Sequence, residues 1–197
     1  MTKILAFSGR KQSGKTTGSH YVESLINNKG LSISYRIYNF ADPLKEDICM
    51  NILGLTYEQC YGSDDDKNTI TNLVWENEQL TARRAMEVIG TDIFRKLRSE
   101  VWVEATMRKI EKDNIDLAII PDCRFPNEVD TILDANGYVI RLELDPFNSQ
   151  SNSEKALDRD RYDWSRFSLV INNTDLTLDR KNIHILNFLS SKGILPL

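Results

Sequence analysis

The sequence predicts an α/β fold in which a mostly parallel, five-stranded sheet is covered by helices on both faces. Short apolar runs alternate with longer amphipathic segments along the 197 residues, and this alternation implies right-handed βαβ units. The run Leu117 to Ile120 is apolar throughout, as expected of a central strand that is buried on both faces.

The five strands are predicted at residues 3–8, 33–40, 116–122, 138–144 and 167–172. Helices are predicted at residues 15–28, 100–113, 125–135 and 178–190, and after Thr81 as two helices joined at Gly90. Another helix is expected to open at Asp42-Pro43, with Asp42 as its cap and Pro43 in its first position. Residues 56–80 are polar and are predicted to form a loop-rich excursion, whose acidic run at 64–66 is solvated.

The amino-acid composition favours a globular domain and argues against several other classes of protein. Hydrophobic residues make up 41% and charged residues 27%, which is typical of one globular domain. The net charge of -4 argues against a general nucleic-acid-binding protein. Three cysteines without a CxxC pair and two histidines argue against a disulfide framework and a His-rich zinc site. With no apolar run of membrane-spanning length, we expect a soluble cytoplasmic protein without membrane or nucleic-acid partners.

Residues 9–16 read GRKQSGKT and match the phosphate-loop pattern GxxxxGK[ST] between a predicted strand and a predicted helix. Glycines let successive N–H groups converge on one anion, and the helix N-terminus adds positive potential. Lys15 is expected to reach the β and γ phosphates, and the Thr16 hydroxyl to bind Mg²⁺. The alternative is an ordinary glycine-containing turn. The pattern predicts a P-loop NTPase fold whose ATP-binding residues are Gly9, Lys11, Gln12, Ser13, Gly14, Lys15, Thr16 and Thr17.

Two polar residues lie at the end of the third predicted strand, Asp122 as its last residue and Arg124 just after it, at the sheet edge where such folds bind ligands. Asp122 is predicted to hold the metal or its water together with Thr16; the alternative is a cap for the helix near Phe125. Arg124 is predicted to stabilise the transferred phosphoryl group; the alternative is a surface salt bridge to Glu128.

Several blocks of the sequence together resemble the phage deoxynucleoside monophosphate kinases. They are the phosphate loop at 9–17, FADPLKE at 40–46, GTD at 90–92 with Arg95, Trp102-Val103, and DCRFPNE at 122–128. These blocks span residues 4 to about 175. The resemblance implies Mg²⁺-dependent transfer of the ATP γ-phosphoryl group to a deoxynucleoside 5′-monophosphate. It also implies one kinase domain over residues 1–197, acting in the host cytoplasm if the gene is phage-encoded.

The resemblance also implies where the acceptor nucleotide binds, in a helical segment at about residues 42–113. The implied acceptor residues are Asp42, Lys45, Arg83, Glu87, Thr91, Asp92, Arg95, Trp102, Asp122, Arg124 and Glu128. Asn172 and Asn173 would lie near the ATP base. The alternatives are a helix cap for Asp42, solvated surface positions for Lys45, Arg83 and Arg95, and the core for Trp102.

Two departures from the family pattern concern the base and the lid. Family members often carry Gln where this chain has Glu87, and an ionised carboxylate cannot donate a hydrogen bond, so the accepted base is open. Many members also carry His shortly before the Ser153-Glu154 pair, where this chain has Ser151-Asn152.

The polar segment at about residues 149–163 is predicted to close as a small lid that excludes water. Arg159 and Arg161 are predicted to swing onto the phosphates and to join Lys15 and Arg124 as catalytic residues; the alternative is a solvated loop with self-paired charges. The expected partners are ATP and a nucleotide acceptor, and a homodimer is left open. The rival functions are another P-loop small-molecule kinase and a nucleotide-dependent switch or ATPase.

Overall fold

A computed structural model describes residues 2–148 and 152–196. The chain divides into two compact units, one formed by Met1–Asn39 with Lys109–Leu197 and the other by Phe40–Arg108. The second unit covers much of the segment predicted to bind the acceptor, although that role stays a prediction. Within the described ranges, no helix has both the length and the apolar character needed to cross a membrane.

The first unit is built on a five-stranded sheet, and the second carries a two-stranded hairpin. The strands are β1 (Lys3–Gly9), β2 (Tyr35–Ile37), the hairpin strands β3 (Ile70–Trp75) and β4 (Glu78–Thr81), and then β5 (Leu117–Cys123), β6 (Tyr138–Leu142) and β7 (Leu169–Ile171). The large sheet has the order β2-β5-β1-β6-β7, and every pairing in it is parallel. The predicted five-stranded parallel sheet is therefore confirmed.

Eight α-helices are described in residues 2–148 and 152–196. They are α1 (Lys15–Asn28), α2 (Tyr57–Tyr61), α3 (Asp64–Lys67), α4 (Ala82–Glu87), α5 (Val101–Asp113), α6 (Pro126–Asp134), α7 (Asn152–Lys155) and α8 (Leu178–Ser191). Two π-helices lie at Pro43–Met50 and Val88–Arg95, and a 3₁₀ turn lies at Trp164–Arg166.

Helices pack on both faces of the large sheet. On one face, Leu5 and Phe7 of β1 share a buried cluster with Val22 of α1 and Ile185 of α8. Gly18 lets α1 approach closely, because a Cβ at that position would lie 2.9 Å from the Phe7 ring.

On the opposite face, α6 buries Val129 and Ile132. A Cβ at Gly137 would lie 2.7 Å from the Ile132 side chain and 3.0 Å from Ile4, which points away from the cluster of Leu5. Alternating side chains of β1 therefore serve both layers.

The edge strands are shorter than predicted. The prediction of a strand over residues 33–40 was too long, because only Tyr35–Ile37 pairs with β5. Before this strand, the Asp116 carboxylate accepts both the backbone N–H and the hydroxyl of Ser34, at 2.8 and 2.7 Å. These bonds occupy the Ser34 N–H, while the Ser34 carbonyl oxygen still accepts the backbone N–H groups of Asp116 and Leu117, both at 3.0 Å.

The prediction of a loop-rich excursion over residues 56–80 was wrong. Helices α2 and α3 begin at Thr56 and Ser63, whose hydroxyls accept backbone N–H groups in capping boxes. The hairpin β3–β4 turns at Glu76 and Asn77, whose φ angles of 50° and 67° suit a two-residue turn. Short polar elements of this kind carry little hydrophobic periodicity, which is why the pattern looked like a loop.

Two expectations about helix ends were also wrong. The chain does not break at Gly90, because α4 runs directly into the second π-helix. A Cβ at Gly90 would lie 2.7 Å from Leu44, so this glycine permits close packing. The helix at Pro43 forms as predicted, but Asp42 has helical backbone angles and makes no capping bond with its side chain.

Candidate active site

The loop between β1 and α1 has the curled backbone that the phosphate-loop pattern predicts. A Cβ at Gly9 would lie 2.3 Å from the Ser13 hydroxyl and 2.9 Å from the Leu142 carbonyl oxygen, so only glycine fits there. Gly14 and Gln12 have positive φ angles of 96° and 58°. The loop therefore leads directly into the N-terminus of α1, where an anion is favoured.

Lys15 is buried beneath this loop. Its ammonium group donates to the carbonyl oxygens of Gly9 and Arg10, both at 2.7 Å. Burial, followed by the nearby charge of Arg124, lowers the pKa of Lys15 to about 8. The protein thus holds a poorly solvated cation at the loop, which suits an interaction with phosphate oxygens.

A cleft of about 380 Å³ joins the loop to the ends of neighbouring strands. Its size is in the range of small-molecule sites. Asp122 and Arg124, predicted from the third strand, both line it together with predicted ATP-binding residues. The lining residues are Lys11, Gln12, Gly14, Lys15, Thr16, Thr17, Asn39, Pro121, Asp122 and Arg124.

Asn39 is a lining residue that the sequence analysis did not single out. It lies shortly after β2, at the carboxyl edge of the sheet. That position is the signal that would have identified it, because polar residues after parallel strands commonly face the ligand.

Glu154 of α7 bridges the loop and Arg124. One carboxylate oxygen accepts the Arg124 guanidinium at 2.5 Å, and the other accepts the backbone N–H of Lys11. Glu154 is only 8% exposed. The sequence contains Glu154 in the lid but gives no sign of this contact, because its two partners are 143 and 30 residues away.

Glu128, which was predicted to contact the acceptor, is hydrogen-bonded to the protein backbone. It is buried, and its carboxylate accepts the backbone N–H groups of Arg124 and Phe125 at 2.6 and 3.0 Å. Glu128 thus caps α6, and the alternative of Asp122 as the cap of that helix is wrong. Arg124 forms its salt bridge with Glu154, not with the Glu128 carboxylate that the alternative proposed.

The described part of the predicted lid contacts the phosphate loop through acidic side chains. Asp158 pairs with Arg10 of the phosphate loop at 2.5 Å, and Arg10 also pairs with Asp145 at 3.2 Å. Arg159 instead contacts Glu143 at 2.6 Å and lies 3.9 Å from the centre of the Trp164 ring. Arg161 is exposed. The catalytic roles of both arginines stay predictions, and residues 149–151 of the predicted lid lie outside the described ranges.

Asn173, which was predicted to lie near the ATP base, is hydrogen-bonded to the phosphate loop. Its amide donates to the Ser13 carbonyl at 2.9 Å and accepts the backbone N–H of Leu144 at 3.0 Å. Asn173 is buried, whereas Asn172 is exposed. A buried cation, Lys181, lies 3.5 Å from the Gly14 carbonyl oxygen. These contacts favour a role in shaping the loop.

Arg141 is a buried charge that the sequence analysis missed. It lies within β6, and its guanidinium donates to the Ser8 hydroxyl at 3.1 Å and stacks near Trp164. Burial lowers its pKa. A single arginine in the otherwise apolar strand residues 139–142 is the signal that could have identified it.

In the second unit, one tyrosine contacts both acceptor residues predicted at the first π-helix. The Tyr61 hydroxyl donates to Asp42 at 2.8 Å and lies 3.4 Å from a carboxylate oxygen of Glu46. The Lys45 ammonium lies 4.2 Å from the centre of the Tyr61 ring. Burial and the hydrogen bond to Asp42 raise the pKa of Tyr61, so it is a neutral donor at physiological pH. Tyr61 was not predicted as a site residue.

The remaining predicted acceptor residues lie on α4 and the second π-helix. Arg84 contacts both Glu87 and Asp92 at 3.4 Å. Arg83 pairs with Asp64 at 2.7 Å. Thr91 and Arg95 also belong to the second π-helix. The structure thus groups Glu87 with Asp92, and their roles with Thr91 and Arg95 stay predictions.

Trp102 lies in the core of the second unit. It is 5% exposed, its indole N–H donates to the Gly90 carbonyl at 3.0 Å, and its ring packs 5.2 Å from that of Phe94. These contacts favour the core alternative over stacking on a base.

Replacing Trp102 by alanine is therefore expected to lower the free energy of unfolding by about 3–5 kcal/mol, because it leaves a large cavity. Denaturant titration measures this loss. Trp102→Phe retains most of the packing and is expected to leave the acceptor KM unchanged. A Trp102→Phe variant of normal stability with a strongly raised acceptor KM would favour a base-binding role.

The fold and the cleft are those of a P-loop phosphotransferase, with a buried lysine in the loop, an acid at the end of a neighbouring strand and an arginine just after it. The sequence matches the deoxynucleotide monophosphate kinase family over residues 50–177, which is more than half of the chain. The chain therefore belongs to the deoxynucleotide monophosphate kinase family.

Individual relatives are consistent with this membership. A candidate deoxynucleotide monophosphate kinase of Acanthamoeba polyphaga mimivirus is 30% identical over 155 residues, covering 71% of this chain and 73% of that protein. The deoxynucleoside-5′-monophosphate kinase of Escherichia phage T5 is 34% identical over 58 residues, covering 29% of this chain and 23% of that protein.

Among solved structures, the shikimate kinase of Aquifex aeolicus matches with a TM-score of 0.48 and 15% identity, over 97% of this chain and 98% of that one. The APS kinase CysC of Mycobacterium tuberculosis, as its Cys556Ala mutant, matches with a TM-score of 0.44 and 14% identity, over 96% of this chain and 98% of that one.

Proposed function

We propose that this protein transfers the γ-phosphoryl group of ATP to a deoxynucleoside 5′-monophosphate, giving ADP and the deoxynucleoside diphosphate. The observation that carries the proposal is one cleft in which the phosphate loop meets Asp122 and Arg124, in a chain of this family. We further propose that the phosphate loop binds ATP, that the acceptor residues predicted from the sequence bind the deoxynucleotide, and that the reaction takes place in the cytoplasm.

The residues of the cleft fit Mg²⁺. Thr16 and Asp122 both line it and offer hydroxyl and carboxylate oxygens, which are the donors that Mg²⁺ prefers. Mg²⁺ is commonly bound by one or two protein oxygens together with substrate phosphates. When bound, the ion would neutralise phosphate charge, and we assign Thr16 and Asp122 to hold it.

The transfer itself requires positioning and charge stabilisation. An oxygen of the acceptor phosphate attacks the γ phosphorus in line with the departing ADP, and this oxygen is already ionised at neutral pH, so no strong general base is needed. Lys15 and the loop N–H groups bind the donor phosphates. Arg124 interacts with the phosphoryl group as its charge spreads in the transition state. In the proposal, Arg159 and Arg161 contribute when the lid closes.

An acceptor panel tests the proposed function. The panel contains dTMP, dGMP, dCMP, dAMP, modified pyrimidine monophosphates and their ribonucleotide counterparts, and ADP release from MgATP is measured. We expect release to depend on at least one deoxynucleotide. If no deoxynucleotide is phosphorylated, the proposal fails. ATP hydrolysis that is stimulated by DNA or RNA, without any monophosphate, would favour the ATPase alternative.

Tyr61→Phe tests the proposed acceptor site. The substitution keeps the ring beneath Lys45 but removes the hydroxyl that holds Asp42. We expect the KM for the deoxynucleotide to rise about 10- to 100-fold, as for the loss of one hydrogen bond to a charged group. The KM for ATP should not change. Steady-state kinetics with each substrate varied in turn measures both constants. Tyr57→Phe, on the exposed neighbour that stacks on Tyr61, is the matched control.

A further inference from the structure

We propose that Glu154 is a positioning residue, which fixes the Arg124 guanidinium beside the phosphate loop for phosphoryl transfer. This inference rests on the proposed function, because it assumes that Arg124 acts on the transferred group. It also gives the lid segment a role different from the one predicted for its arginines.

One carboxylate joins the arginine to the phosphate loop. Glu154 accepts Arg124 through Oε1 at 2.5 Å and the Lys11 N–H through Oε2. Lys11 belongs to the loop after β1, and Arg124 follows β5. A single side chain therefore ties the arginine to the backbone of the loop that is proposed to bind ATP.

The Glu154 carboxylate is buried, and its side chain is 6% exposed. A buried carboxylate is strongly destabilising unless it is paired and hydrogen-bonded. The two contacts meet that requirement, and they hold the carboxylate in one place. Because the Glu154 carboxylate is held in place, it also fixes the position of the Arg124 guanidinium.

The contact with Glu154 also restricts the arginine side chain. A free arginine side chain has many rotamers, and this conformational entropy must be lost when it binds a phosphoryl group. The Glu154 contact removes much of this freedom in advance. Because a guanidinium has five N–H donors, the contact through Nη1 leaves donors for a phosphoryl oxygen. Arg124 lines the cleft together with Lys15 and Asp122, so those donors have access to it.

The test is a double-mutant cycle in the full-length protein. The rates of wild type, Glu154→Gln, Arg124→Ala and the double variant are measured with MgATP and the best deoxynucleotide of the panel. We expect Glu154→Gln to lower kcat about 10- to 100-fold, because a misplaced catalytic group has losses of this size. The KM for ATP should change less than about twofold. In the Arg124→Ala background, Glu154→Gln should have little further effect.

A matched control breaks another arginine–glutamate pair. Glu104 contacts Arg98 at 2.5 Å, and neither residue is assigned to the site. Glu104→Gln is expected to leave kcat unchanged. Thermal unfolding of every variant separates a loss of activity from a loss of fold. If Glu154→Gln does not fold, Glu154→Asp keeps the charge but shortens the reach to Arg124, and it is expected to lower kcat similarly.

Two results would overturn the inference. The first is an unchanged kcat in a folded Glu154 variant; if ATP also binds more tightly, Glu154 competes with phosphate for the loop. The second is an equal loss in the wild-type and Arg124→Ala backgrounds, which would indicate a structural role. A wild-type protein that phosphorylates no deoxynucleotide would instead overturn the proposed function.

Discussion

Lys15→Ala is expected to lower kcat/KM by about 10²- to 10³-fold or more while the protein stays folded. Loss of one preorganised group that stabilises transition-state charge has effects of this size. The fold should tolerate the change, because burial lowers the pKa of Lys15 and the folded protein therefore disfavours the charged form. The loop does lose the two bonds from the ammonium to its carbonyl oxygens.

Steady-state kinetics and thermal unfolding measure the two parts of this prediction. Lys29→Ala is the control, because Lys29 is an exposed lysine at the other end of α1. It is expected to retain full activity. A folded Lys15→Ala protein with near-normal turnover would contradict the assignment of the loop.

Arg124→Ala is expected to reduce kcat about 10³-fold, since an arginine that stabilises the transferred phosphoryl group contributes about 10³ to 10⁵ in phosphoryl transfer. Both KM values should change little, because the interaction is made mainly in the transition state. Arg124→Lys keeps the charge but lacks the planar, forked geometry, so it should recover only part of the loss.

The measurement is kcat with saturating ATP and deoxynucleotide. Arg98→Ala is the matched control, because it removes the arginine of an exposed pair with Glu104. A kcat for Arg124→Ala within a few-fold of wild type would exclude Arg124 from the chemistry. A large rise in the acceptor KM at unchanged kcat would instead make it a binding residue.

The large sheet could be predicted because its signals are local. The apolar residues of β5 predict a buried strand, and the glycines of the phosphate loop predict a tight turn, at the positions where they occur in the sequence. Helices α2 and α3 and the hairpin of the second unit could not, because they are short and mostly polar, whereas the helices at Pro43 and after Thr81 were predicted. Gly90 is an example: glycine suggested a helix boundary, but close packing against Leu44 explains it.

Part of the candidate site could likewise be predicted from the sequence, and part could not. The convergence of Lys15, Asp122 and Arg124 in one cleft followed from the rule that parallel strands end at one edge. The partners of these residues did not follow from any rule of spacing. Glu154 reaches the loop from 143 residues away, and Tyr61 meets Asp42 only through the packing of α2. Such contacts depend on tertiary structure, which composition and periodicity do not encode.

The most direct test of the central claim is to follow the γ-phosphoryl group itself. The protein is incubated with MgATP labelled in its γ-phosphate and with the deoxynucleoside monophosphate that releases most ADP in the panel. The products are then separated by chromatography. The proposed function predicts that the label appears in the β-phosphate of the deoxynucleoside diphosphate, in an amount equal to the ADP formed. Label recovered only as inorganic phosphate would contradict it, because the protein would then hydrolyse ATP without transferring the group.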